Sequence, residues 1–253
     1  MVDNENNVSV EGLREEIRSP VKTVAQKLTA DLASNLESIT VVGSALTDDF
    51  LPGKSDINLV LVLGKRDLKG LNRLAEAARS LAKLKVATPV IMTAEYIERS
   101  RDVFAIEFLD FQLTHRTILG ADPFAGLQFE KSHVRLQCER ELKATLVRLR
   151  QSYIASGAKP AVMRDVLIST IAGLIPLLRA MLWLYDTERP ARAEETLVKA
   201  AGKFEVKPDV LIEVLGWRRR RGRLESSHMQ ANFEMVYAIV DKLARIVDEI
   251  EVS

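Results

Sequence analysis

Residues 41–63 read VVGSALTDDFLPGKSDINLVLVL. Gly43-Ser44 closes one apolar run, and Asp56-Ile57-Asn58 opens the next after eleven intervening residues. Glycine lacks a Cβ, so another group can approach its backbone closely, and successive N–H groups at such a turn form a nest for anions. Asp56 and Asn58 stand two apart, so a strand there points both side chains to one face. Residues 217–223, WRRRRGR, are a second candidate. Guanidinium forks match phosphate geometry, which makes this run a potential phosphate or nucleic-acid contact. Paired with acids such as Glu213 and Glu225 it is instead an ordinary solvated turn. Cys138, set among Leu136 and Leu142, reads as a buried inert thiol, and His115 and His133 read as structural.

The elements that must position these residues follow from the spacing of apolar positions. From Glu11 to Asn35, Leu13, Ile17, Val21, Val24, Ala25, Leu28 and Leu32 recur at helical intervals, with Pro20 expected to kink or split the segment. Ile39–Val42 and Ile57–Leu63 are β-branched runs bounded by glycine and proline and read as buried strands. A helix over about Asp67–Leu84, a third strand over Val86–Met92 and a short helix capped by Thr93 complete this half. Past Gly120, Asp122 and Pro123 every pattern is helical: roughly 132–156, 161–186, 191–203, 208–217 and 228–250. Leu136, Leu142, Leu146 and Leu149 form one expected core stripe, and Met235, Ile239, Leu243, Ile246 and Ile250 another. Val166–Tyr185 is apolar over a transmembrane length but holds Pro176 and Arg179. A central arginine costs about 2.5–3.5 kcal/mol on insertion scales, so the segment reads as a buried helix of a soluble bundle. Arg179 must then be paired, with Asp165 or Asp186 as partner.

On the strand, Gly-Ser, spacer and Asp-x-Asn order, the sequence resembles the polymerase-beta-like nucleotidyltransferases, a superfamily that includes aminoglycoside nucleotidyltransferases and the small MNT proteins. Residues 90–124 look like the segment that joins this domain to an all-helical C-terminal domain in bacterial nucleotidyltransferase-like proteins. The resemblance implies that Gly43 and Ser44 contact the phosphates of a nucleoside triphosphate. It also implies that Asp56 and Asn58 occupy the places of two catalytic carboxylates that hold Mg²⁺ for nucleotidyl transfer to a hydroxyl. Asn58 departs from that pattern, because a neutral amide is a weak ligand for a hard cation. The family's third carboxylate would fall on Val86–Met92, where Thr88 or Val90 stands instead and Glu95 lies beyond the strand. Asp48, Asp49 and Glu95 are the acids that could substitute. Arg223 and His228 fit the Arg-x4-His spacing of helical HEPN ribonuclease domains, a match that an arginine-rich chain produces by chance.

Composition limits the remainder. The chain has 253 residues, 47% of them hydrophobic, enough for a sizeable core, and its net charge of +1 gives no global attraction for nucleic acid or membrane. One cysteine and three histidines cannot build a zinc site of the Cys/His type. The polar, acidic start lacks the features of a secretory signal, so a cytoplasmic protein without membrane attachment is expected. The expected fold is α+β: a minimal nucleotidyltransferase-like domain with a short mixed sheet over 1–127, followed by an all-α helical bundle over 128–253. The expected function is nucleoside triphosphate binding with Mg²⁺, with transfer impaired by the missing carboxylates. An active transferase modifying a hydroxyl of a small molecule, protein or RNA is one alternative, and a non-catalytic interaction module another.

Overall fold

The structure, a computed structural model, describes residues 8–65, 68–157, 159–219 and 226–251. It forms two compact units, one running through Arg101 and again over Phe111–Gln128, the other made of Asp102–Asp110 and the chain from Phe129 onward. The short stretch 102–110 thus belongs with the helices although it precedes residue 127.

In the first unit, α1 (Glu15–Leu32) leads through a 3-10 turn into β1 (Leu36–Val42). β2 (Asn58–Leu63), α2 (Leu68–Lys83), β3 (Val90–Met92) and α3 (Ala94–Arg99) follow, and β4 (His115–Leu119) comes after α4 (Ala105–Leu113). α1 runs unbroken through Pro20, so the segment is not split there. Near a helix start the missing proline N–H removes a single bond, and the buried face of Ile17, Val21, Val24 and Leu28 holds the turn in place. Thr93 caps α3 as expected, its hydroxyl accepting from the Tyr96 N–H at 3.1 Å.

The strands lie in the order β3-β2-β1-β4, with β1 antiparallel to both neighbours and β2 parallel to β3. The expected third strand is shorter than its sequence suggests. Val86 makes only an isolated bridge to Ile57, and regular pairing starts at Val90, just past Pro89, which has no N–H to give. β4 was not foreseen at all. His, Arg and Thr open it, so nothing in its composition resembles a buried strand, and the free edge of β1 decides its pairing.

Strand alternation sorts the side chains onto two faces. Ile39, Val41, Leu59, Leu61, Leu63 and Ile118 pack with α1 and α2 into one core. Thr40, Val42, Asn58, Val60, Val90, His115 and Thr117 share the opposite face by register. There Thr40 and Thr117 hydroxyls meet at 2.9 Å.

The second unit is helical: α5 (Lys131–Ser156), α6 (Pro160–Leu184), α7 (Ala193–Phe204), α8 (Asp209–Gly216) and α9 (Ser226–Asp248), with Ala105, Ile106 and Leu109 of α4 in its core. α6 is long and apolar enough to cross a membrane by length and composition, yet Leu167, Ile171, Leu174, Leu178 and Met181 are buried among the other helices. Each such side chain contributes about 1.5–3 kcal/mol. The expected stripes are buried at Leu142, Leu146, Leu149, Ile239 and Leu243, and only their first members are corrected. Leu136 is 59% exposed and Met235 46%, because the buried faces run through Val134, Cys138 and Leu142 on α5 and through Met229, Val236, Val240, Leu243 and Val247 on α9.

Arg179 also has a different partner from either acid expected. Its Nη1 donates to Asp110 Oδ1 at 2.7 Å, Nε donates to Pro190 O and Thr196 Oγ1, and Nη2 donates to Ala191 O. Asp165 instead lies 3.6 Å from Arg164, and Asp186 accepts from Lys131. The buried guanidinium is thereby satisfied on every nitrogen.

Candidate functional site

β1 ends at Gly43, whose φ of +77° favours glycine over any L side chain. Its N–H donates to Thr114 O at 2.9 Å, tying the end of β1 to the start of β4. That N–H is therefore taken, so a phosphate at this turn would have to use the groups that follow it. A 3-10 turn over Gly43–Leu46 comes next, closed by Thr47 N–H on Ser44 O at 3.0 Å. The loop beyond is pinned by Arg14, whose Nη1 donates to Thr47 O at 2.8 Å and to Asp48 at 3.0 Å. Buried Ser55 accepts from the Leu51 N–H through its hydroxyl and turns the chain back toward β2.

The register then brings the two halves of the motif together. Val42 pairs with Asn58, and the position a Cβ would take on Gly43 is 3.8 Å from the Asn58 amide nitrogen. Asp56 and Asn58 are exposed, while Ile57 between them is buried and held by a hydrogen bond from its N–H to Lys85 O at 2.8 Å. Asp56 also lines a cavity of about 530 Å³ whose other walls, including Leu74, Ala78, Leu81, Val86 and Ile91, are chiefly apolar.

The resemblance implies a magnesium ion here, and the residues do not fit one. Asp56, just before β2, is the single carboxylate of the Asp-x-Asn motif, Asn58 offers a neutral amide, and Val90 pairs with Val60 where β3 meets β2. Among the described residues, no three acids, histidines or cysteines gather as a metal cage. The substitute acids are engaged elsewhere: Asp48 with Arg14, Asp49 with the Thr47 hydroxyl and Glu95 with Arg99. A hard cation that demands several oxygen ligands finds too few.

His115, which the sequence alone suggests is structural, belongs to this sheet end. It opens β4 directly across β1 from Val42, on the face that also carries Asn58. Its Nε2 lies 2.8 Å from Asp122 Oδ2, and the Phe124 ring stands edge-on at 5.7 Å. Burial works against the Asp122 charge, but the His115 hydrogen bond and the Phe124 N–H outweigh it and hold the carboxyl below its ordinary range. The sequence held one clue: Asp122-Pro123 after Gly120 is a turn in which an aspartate accepts the N–H two residues on.

The remaining candidates divide plainly. Cys138 is buried and without a disulfide, and burial together with nearby Glu107 pushes its thiol far up, as an inert core cysteine requires. Arg218 and Arg219 are exposed just past α8, while 220–223 and Glu225 lie outside the described residues. Glu213 has a partner on α9. It accepts from His228 at 2.7 Å, and Arg223, the other half of the Arg-x4-His spacing, is also outside the described residues. His133 is exposed on α5. The helical unit has a cavity of about 580 Å³ between α4, α5 and α6, lined in part by Glu107, Glu141, Asp165 and Arg148.

No protein-family model matches the chain, and no curated protein matches it. Among solved structures it is similar to the crystal structure of spectinomycin adenyltransferase AAD(9) from Enterococcus faecialis with ATP and spectinomycin. The two are 12% identical with a TM-score of 0.58, over 91% of this chain and 99% of that one. At such identity the likeness shows the fold alone: α+β, with a small mixed sheet and a set of helices.

Proposed function

We propose that this protein binds a nucleoside triphosphate at the Gly43–Ser44 turn beside Asp56, and that nucleotidyl transfer to a hydroxyl is slow or absent. The observation that carries the reading is the Val42–Asn58 pairing, which sets the Gly-Ser turn and the Asp-x-Asn strand side by side at one end of the sheet. The adenyltransferase of similar fold was crystallised with ATP, which supports a nucleotide as the ligand. Loss of transfer follows from the chemistry of the site. Without a set of carboxylates to place a cation, charge that develops on a departing pyrophosphate is poorly neutralised, and electrostatic stabilisation supplies most of the acceleration in such reactions.

Calorimetric titration with ATP, CTP, GTP and UTP, each with and without Mg²⁺, tests the binding. One of the four should bind to the wild type, and Asp56→Ala should alter that binding. A pyrophosphate-release assay should remain near background. Absence of binding by every nucleotide would overturn the reading in favour of an interaction module, and brisk pyrophosphate release would overturn its catalytic half.

A further inference from the structure

His115 flanks the Gly43–Ser44 turn: it pairs with Val42, and the carbonyl of the preceding Thr114 accepts the Gly43 N–H. Its Nε2 is engaged by Asp122 at 2.8 Å. An ionised carboxylate can only accept a hydrogen bond, so Nε2 carries the hydrogen, and in the neutral ring Nδ1 then offers a lone pair. Nδ1 is buried and has no hydrogen-bond partner among the described residues. An acceptor kept dry and unpaired is unfavourable, and native proteins hold few such atoms.

The complement of that lone pair is a donor. Phosphate oxygens of a nucleotide are acceptors near neutral pH, whereas the sugar beside them carries hydroxyl donors. We propose that His115, its tautomer fixed by Asp122, accepts a hydrogen bond at Nδ1 from a ribose hydroxyl of a nucleotide bound at the Gly43–Ser44 turn. This rests on the nucleotide reading above. The His115 side chain is 16% exposed while Nδ1 itself is buried, so a neighbouring side chain must shift to admit the ligand hydroxyl. Asp122 is a positioning residue in this arrangement, and His115 is the group that touches the ligand.

A ligand-and-mutant cycle tests it. Affinities of ATP, 2′-deoxy-ATP and 3′-deoxy-ATP are measured by calorimetry on wild type, His115→Phe and His115→Asn, with folding checked by circular dichroism. In the wild type, ATP should bind about five- to tenfold tighter than one deoxy analogue, the range of a single net hydrogen bond. In His115→Phe that ratio should fall to about one, while His115→Asn, whose amide oxygen stands near the Nδ1 position, should retain part of it. If His115→Phe does not fold, Asp122→Asn takes its place, and loss of the tautomer constraint should shrink the same ratio. Equal binding of ATP and both analogues to the wild type, or a ratio that survives in the variants, overturns the proposal and leaves nucleotide binding standing. Failure of every nucleotide to bind the wild type removes both.

Discussion

The two units treat their buried polar atoms differently. In the helical unit Arg179 is 7% exposed and carries four hydrogen bonds, to Asp110, Thr196 and the carbonyls of Pro190 and Ala191. In the sheet unit Ser38 Oγ, Arg14 Nε and His115 Nδ1 are buried with no hydrogen-bond partner, and the described residues of the helical unit contain no such atom. A saturated network of this kind serves to fix a helix arrangement, whereas orphaned atoms persist where something besides stability sets the residue. Two of the three, on Ser38 and His115, belong to strands that frame the Gly43 turn. Of these atoms His115 Nδ1 lies at the sheet end that carries the sequence motif, whereas Ser38, paired with Val62, lies toward the opposite end of β1.

Breaking the saturated side should have the largest effect. Arg179→Ala removes the ion pair to Asp110 and the donor to the Ala191 carbonyl and should cost about 3–5 kcal/mol in urea unfolding, with no specific change in nucleotide affinity. On the sheet side, Gly120→Ala should come next. A Cβ there would sit 1.9 Å from the Glu37 carbonyl oxygen at a φ of +76°, so β4 would have to move away from β1. A loss of about 3 kcal/mol is expected, seen as a lowered Tm together with loss of the ATP preference attributed to His115.

Gly43→Ala isolates backbone strain from collision. Its φ is +77°, but the nearest atom to a new Cβ is 3.8 Å away, so the expected cost is about 1–2 kcal/mol by chemical denaturation. Asp122→Asn should be the mildest change. Because the folded carboxyl is held below its ordinary range, its contribution is complete above the unfolded value of about 3.9 and is lost as pH falls through the folded value. The substitution should therefore lower Tm near neutral pH by an amount equivalent to less than about 1 kcal/mol and leave it unchanged once pH has fallen through the folded value. A Tm difference that persists in strong acid would contradict the pairing.

Much of this was legible from the chain. The Gly43-Ser44 and Asp56-x-Asn58 spacing lies on a strand, turn and strand, as the apolar runs around it suggested. The helical second half, the buried α6 and the buried Cys138 also follow from hydrophobic periodicity, because burial of a regular face imposes a regular interval. The stripes on α5 and α9 hold at Leu142, Leu146, Leu149, Ile239 and Leu243 and fail at their first members, Leu136 and Met235, since leucine and methionine tolerate exposure.

The sequence by itself determined the class of fold and the place of the candidate turn, because these depend on local spacing and on which residues avoid water. Only the tertiary structure decided that β4 exists, that His115 stands across β1 from the motif, and that Arg179 finds Asp110 sixty-nine residues away. Each of these is a meeting of groups distant in the chain, selected by the geometry of strand edges and helix faces, and no local pattern of residues records which partner an unpaired edge or a buried charge will find.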